Sequence, residues 1–402
     1  MSVIQKHKIK DYYFPVFIFL VTITGYWDSP IRKFISLVLP VLIITYWLSK
    51  KKFTSKIRIE TILIFVYITL CFISSLFAYD TMNSLIFSAR ILVFFLLIAA
   101  LHDWMSTRFR YLLFLKAIVL SGLVLSASIF YSRFFGTVIR ELEGAVRAGG
   151  IYSNVNSAGF ILYVSLVFAF LLYLEAKKRK YIIFIAVLLI GLFITGSRAS
   201  MLALAITAVV YNLRFRLTKK IIVLATIGFI FAGAGFFFFK DKIILNLRLE
   251  RGLSARQILY DVGADVAMDY PFFGVGLGNL REIGVGYVES YPISRWQKDE
   301  ILKLTVQSSH NVYLETAAEI GIFGAFVLLL ILLSIGYKYF RGIKLASSNE
   351  KNFYFLVWGL FVGLVIRNFF ESNGIINRGW ITIDIFFWIA YVIFLRYRRF
   401  AK

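Results

Sequence analysis

The sequence predicts an all-α integral membrane protein of about twelve transmembrane helices, folded as one polytopic domain over residues 1–402. Three observations carry this. Of 402 residues, 60% are hydrophobic and mean hydropathy is +0.79, whereas soluble domains are nearer half apolar. The apolar residues form long continuous runs, not the alternating ten-residue strands of a β-barrel. Only 5 prolines interrupt them, so the runs stay helical.

In chain order the runs are 12–26, 34–48, 60–78, 87–101, 111–131, 156–174, 181–195, 199–213, 221–239, 311–336, 354–371 and 380–395. Aromatic residues crowd their ends, among them Tyr12, Tyr13, Trp27, Trp47, Tyr79, Trp104 and Trp380, as interfacial anchors do. The first run follows the basic stretch Met1–Lys10. No small-residue cleavage site follows it, only Gly25-Tyr26-Trp27-Asp28, so it reads as a retained span.

Placing the N-terminus in the cytoplasm orients the rest. The inside segments become Lys6–Lys10, Lys50–Arg58, Arg108–Arg110, Lys177–Lys180, Arg214–Lys220, Lys338–Lys351 and Arg396–Lys402, each with at least two basic residues. The outer turn Tyr79-Asp80-Thr81 has none. This is the positive-inside pattern, with both termini cytoplasmic. The net charge of +23 then belongs to turns that meet anionic membrane lipids. No basic domain stands apart from the spans to bind nucleic acid. Cys71 is the sole cysteine, which excludes an intrachain disulfide and a cysteine metal site.

Two outer segments are long. One covers about 131–156. The other, residues 240–310, is a large periplasmic loop in which Ile258, Leu259, Val262 and Val266 recur at helical spacing. That pattern predicts amphipathic helices lying on the bundle.

In this threading Arg147, Arg198, Arg256 and His310 all fall on the outer side. Arg198 sits in Thr195-Gly196-Ser197-Arg198-Ala199-Ser200, a tight turn between two runs. An arginine at the membrane boundary either snorkels or serves a site. Arg256 enters the first turn of the amphipathic stretch behind Ser254, a favourable place for a cation only when an anion joins it. His310 is the only outer histidine, since His7 and His102 fall in cytoplasmic segments; it is suited to general base work near neutral pH. Arg147 leads into Gly149-Gly150-Ile151-Tyr152-Ser153-Asn154-Val155-Asn156. There Asn154 and Asn156 either bond substrate hydroxyls or cap the next helix.

Other motifs read as structural. The glycine-rich Pro271–Asn279 lacks a preceding strand and a Walker lysine, so a turn is favoured over a nucleotide loop. Asp261, Asp265 and Asp269 share one helix face and read as a solvated stripe ahead of a metal site. Glu371, between Arg367 and Arg378, is expected to pair with one of them.

Gly149–Ala158, Gly196-Ser197-Arg198, Ser254-Ala255-Arg256, Pro271–Asn279, His310-Asn311-Val312-Tyr313-Leu314 and Glu319–Gly324, in that order, resemble the O-antigen ligase and Wzy-type polysaccharide polymerase superfamily. The likeness covers about 145–335; Val155 departs from it, where relatives often carry proline. The resemblance implies a GT-C-like, metal-independent, cofactor-free inverting glycosyltransferase of the bacterial inner membrane, its active site facing the periplasm. The donor would be a glycan on undecaprenyl diphosphate. The acceptor would be lipid A-core for a ligase, or a lipid-linked repeat unit for a polymerase. Arg198 and Arg256 match the arginines that engage the diphosphate, and His310 the histidine that activates the acceptor hydroxyl. Arg147, Asn154, Asn156 and Asn311 are expected to bind substrate. A flippase or transporter of the same lipid-linked oligosaccharide is the alternative. It should show inverted repeats, broken midplane helices and polar residues on both sides of the centre; the sequence shows no repeat, and the candidate groups lie on one side.

Overall fold

The computed structural model describes residues 9–24, 31, 34–50, 58–136, 139–142, 145–152, 154–214, 254–292, 295, 298, 302, 308–379 and 381–397. Among these the regular structure is helical apart from one two-stranded ribbon. The helices are α1 (Tyr13–Ile23), α2 (Leu39–Lys50), α3 (Ile59–Leu76), α4 (Thr81–Trp104), α5 (Arg108–Phe135), α6 (Val155–Ala176), α7 (Lys180–Thr195), α8 (Arg198–Asn212), α9 (Ser254–Asp269), α10 (Leu280–Ser290), α11 (Val312–Lys344), α12 (Lys351–Arg367) and α13 (Ile381–Tyr397). Helices α3, α4, α5, α6 and α11 are each long and apolar enough to cross a membrane.

Each predicted run other than 221–239 coincides with a helix; that run lies outside the described residues. Two departures are local. A π-helical turn, Phe34–Val38, precedes α2. The outer segment before α6 holds an antiparallel ribbon, β1 (Ile139–Leu142) and β2 (Ala145–Ala148), with Arg140 opposite Arg147.

The chain divides into two compact units. The first comprises Met1–Ile118, Ala255–Arg341 and Leu364–Lys402. Within it α3 and α4 form a hairpin begun by Asp80, whose carboxylate caps α4 by accepting the Asn83 N–H at 3.0 Å. Apolar helices have no hydrophobic preference for each other in lipid, so packing and polar contacts hold them. Here a buried serine seam does so: Ser75 Oγ lies 2.8 Å from Ser84 Oγ and 3.0 Å from Ser88 Oγ. Helix α13 is buried over most of its length, and the Trp388 ring meets Phe95 edge-on at 4.8 Å.

Helix α11 is broken at Gly321, with φ 76° and ψ −177°. The break frees carbonyls that the glycine-rich loop takes up. Val275 N–H donates to Ala318 O at 3.0 Å and Gly276 N–H to Glu319 O at 2.9 Å. Ser74 Oγ of α3 bonds the Phe273 and Glu319 carbonyls at 2.6 and 2.9 Å. A Cβ on Gly321 would overlap the Phe272 carbonyl. The loop is therefore a backbone clamp on a broken helix, the turn the sequence favoured.

Within the large outer segment, residues 254–290 form α9 and α10. Leu259 and Val262 pack against Val288, and Val266 against Val275, Leu280 and Ala318 of α11. The predicted apolar face is thus the packed one.

The second unit comprises Val119–Ser254 and Gly342–Gly363. Its centre is α6, buried along nearly its whole length. Small residues admit the close approach: a side chain on Gly159 would overlap Ser197. Tyr163 Oη bonds Thr207 Oγ1 at 2.6 Å, and Thr207 Oγ1 reaches Gly359 O at 3.1 Å, tying α6 and α8 to α12.

Candidate active site

The predicted site residues divide between the units. Arg256, His310 and Asn311 lie in the first, and Arg147, Asn154, Asn156 and Arg198 in the second.

In the first unit, His310 occupies the turn before α11 with φ 53°, a left-handed conformation uncommon outside glycine. Local bonds maintain it. The His310 N–H donates to Ser308 Oγ at 3.0 Å, and Ser308 Oγ bonds Ser372 Oγ. Asn311 then caps α11, its Oδ1 accepting the N–H groups of Tyr313 and Leu314 at 3.0 and 3.2 Å. The imidazole is 25% exposed, and its Nδ1 lies 3.8 Å from Oε2 of Glu371, whose side chain is 3% exposed. This pairing is absent from the sequence reading, which sent Glu371 to a flanking arginine. Sixty-one positions separate the two residues, so no spacing rule could join them.

Glu371 is placed by the loop between α12 and α13. Arg367 donates to Asn373 O at 2.6 Å and Asn373 Oδ1 at 3.3 Å. The buried Asp384 carboxylate accepts the N–H groups of Gly374 and Asn377 at 2.7 and 2.6 Å. Arg378 lies 2.8 Å from Glu319 and 3.3 Å from Glu315, both buried carboxylates of α11. The two flanking arginines thus organise the loop, as the sequence ranked them.

Helix α9 meets the same loop. Tyr260 Oη donates to Phe369 O at 2.9 Å, and Gly263 faces Leu314 and Ser309 closely enough that an added Cβ would be 3.1 and 3.3 Å away. Arg256 sits in the first turn of α9, one turn before Tyr260. One unit therefore carries the Arg256 helix and the His310 turn against each other.

In the second unit, Arg198 is the first residue of α8 and is exposed. The turn before it is braced by Arg147, whose Nε donates to Thr195 O at 2.9 Å and whose Nη2 donates to Gly196 O at 3.1 Å. Nη2 also reaches Asn156 Oδ1 at 3.1 Å. Asn154 caps α6, accepting the N–H groups of Asn156 and Ser157 at 2.9 and 3.3 Å. The helix-capping alternative for this segment is present, and Arg147 and Asn156 hold the end of α7 where α8 begins.

The aspartate stripe is engaged by tyrosines of and after α10. Tyr291 Oη donates to Asp261 at 2.7 Å, and Tyr287 Oη donates to Asp269. The Asp261 bond, with desolvation and the field of Asp261 and Asp265, pushes the Tyr291 phenol up to about 12. Burial and Asp269 likewise push Tyr287 up. Among the described residues no group of three His, Cys, Asp or Glu is arranged to hold a metal ion.

Residues 183–329 match the O-antigen ligase family model. The chain is 26% identical to a candidate polysaccharide ligase of Rickettsia typhi, over 82% of this chain and 80% of that protein. It is 23% identical to a candidate polysaccharide ligase of Rickettsia conorii, over 75% and 72%. The resemblance drawn from the ordered motifs is borne out, and the matched stretch spans Arg198, Arg256 and His310.

Proposed function

We propose that this protein transfers a glycan from undecaprenyl diphosphate to a sugar hydroxyl at the periplasmic face of the bacterial inner membrane, using a GT-C-like bundle of about twelve spans. The observation that carries the reading is the O-antigen ligase match, which encloses Arg198, Arg256 and His310. Lipid A-core is the acceptor of the ligase version and a lipid-linked repeat unit that of the polymerase version.

The chemistry follows from the residues. The acceptor oxygen attacks the anomeric carbon from the side opposite the lipid diphosphate. A C–O bond forms, the bond to the diphosphate breaks, and the centre inverts. The acceptor proton passes to Nε2 of His310, while Glu371 faces Nδ1 and favours the tautomer with its proton there. Arg198 and Arg256 stay charged and bind phosphate oxygens bidentately as negative charge develops on the leaving group. That supplies the stabilisation a metal ion would otherwise give. Arg147 and Asn156 support the Arg198 turn, and Asn154 and Asn311 set the helix starts beside which the sugars bind.

The test is reconstitution of the full chain with lipid-linked donor, with core-lipid acceptor in one vessel and donor alone in another. Capped core lipid identifies the ligase, and lengthened lipid-linked glycan the polymerase. Translocation across vesicles without any new glycosidic bond replaces this reading with the transporter.

A further inference from the structure

A cavity of about 640 Å³ opens among α3, α4 and α13 in the first unit, at the end of α3 opposite Ser74 and the glycine clamp. Its wall is apolar, with Ile64, Ile68, Phe95, Ala99, Val392 and Leu395 along it, and its polar groups gather at one end around Arg58. We propose that this cavity holds one acyl chain of an anionic glycerophospholipid, with the lipid phosphate on Arg58.

Depth argues for a single acyl chain. On α3 the lining runs from Arg58 to Ile68, which at 1.5 Å per residue is roughly 15 Å. On α4 it runs from Leu92 to Asp103, again about 16 Å. The hydrocarbon core of a bilayer is about 30 Å thick, so the cavity is one leaflet deep. Its volume lies within the roughly 300–1,000 Å³ of small-ligand sites. A long polyisoprenoid tail would overrun it.

Charge argues for an anionic headgroup. Two carboxylates stand at the mouth, and both are engaged. Glu60 is paired with Lys338 and accepts from Ser334 Oγ at 2.8 Å. Asp103 accepts from Trp47 Nε1 at 3.1 Å and pairs with His102 and Arg396 at 3.2 and 3.4 Å. Arg58 makes no ion pair among the described residues. It is also the N-cap of α3, where the helix dipole favours an anion. The site therefore offers an uncommitted guanidinium at the interface and an apolar slot beneath it. None of the residues proposed for glycan transfer lines the cavity, so the two readings stand or fall separately.

The experiment is native mass spectrometry of the full chain in detergent, offered phosphatidylglycerol and phosphatidylcholine with identical chains. The wild type is expected to retain phosphatidylglycerol about fivefold better, the worth of one basic side chain beside an anionic lipid. Arg58→Gln should remove that preference while chain binding persists. Ala99→Trp, which fills the slot, should remove retention of both lipids in a protein whose elution and melting match wild type. Unchanged preference in Arg58→Gln overturns the headgroup assignment, and this substitution at the cavity mouth does not depend on Ala99→Trp folding. Recovery of a polyisoprenoid phosphate in place of a diacyl lipid overturns the chain assignment.

Discussion

In the proposed transfer His310 and Glu371 stand nearest the chemistry, and each tests a separate part of it. His310→Ala is expected to lower turnover by about 10²–10⁴-fold, the usual worth of a positioned base, with little change in donor affinity. Wild-type turnover in that variant would remove the base. Glu371→Gln keeps the shape but weakens the hold on the imidazole. It should reduce turnover less than His310→Ala does and shift the pH–rate profile, whereas an unshifted profile assigns Glu371 to the loop alone. Arg198→Ala should leave a folded, inserted protein that no longer transfers glycan, scored on lipid-linked donor in vesicles. The residue types were legible in the sequence, because a lone outer histidine and boundary arginines are conspicuous in an apolar chain. The Glu371 partnership was not, since it needs the α12–α13 loop to return to the start of α11. Arg147 and Asn154 carried a sequence signal that served two readings; the bonds to Thr195, Gly196 and Asn156 and the cap on α6 fill the structural one.

At the scale of the element, the broken helix α11 is the part most exposed to test. Gly321 combines a positive φ with backbone packed where a Cβ would lie. Gly321→Ala is therefore expected to cost at least about 2 kcal/mol, read as a lowered melting temperature in detergent. An unchanged melt would mean that α11 straightens at no cost. Arg378→Met leaves Glu315 and Glu319 as buried carboxylates without their shared cation. Breaking such a group costs about 3–5 kcal/mol, and the same melt measures it. Helix α9 was predicted from spacing, and its apolar residues face the positions that pack. The β1–β2 ribbon was not predicted. Its residues lie in a segment that hydropathy marks only as polar, and four-residue strands carry too little pattern to stand out.

For the whole molecule, the charge asymmetry predicts which parts face which compartment. In a Cys71→Ser background, Ser290→Cys should react with a membrane-impermeant thiol reagent added outside intact cells, and Ser347→Cys should not. Reaction of both, or the reverse order, would break the threading that puts His310 in the periplasm. The two compact units interleave in sequence, each built from separated segments. Hydropathy could not reveal that division, because it ranks residues by depth along a span and says nothing of which spans pack together.

The sequence by itself determined the membrane class and the order of the helices, and it nominated an orientation and a set of reactive side chains. Each of these follows from local composition: apolar length, flanking charge and residue type within a short window. Only the tertiary structure decided that Glu371 faces His310, that the glycine-rich loop clamps a broken α11, and that Arg58 stands at the mouth of an apolar cavity. Those are contacts between residues tens to hundreds of positions apart. In lipid they are chosen by the fit of small residues and the satisfaction of buried polar groups, and neither is written in any one stretch of chain.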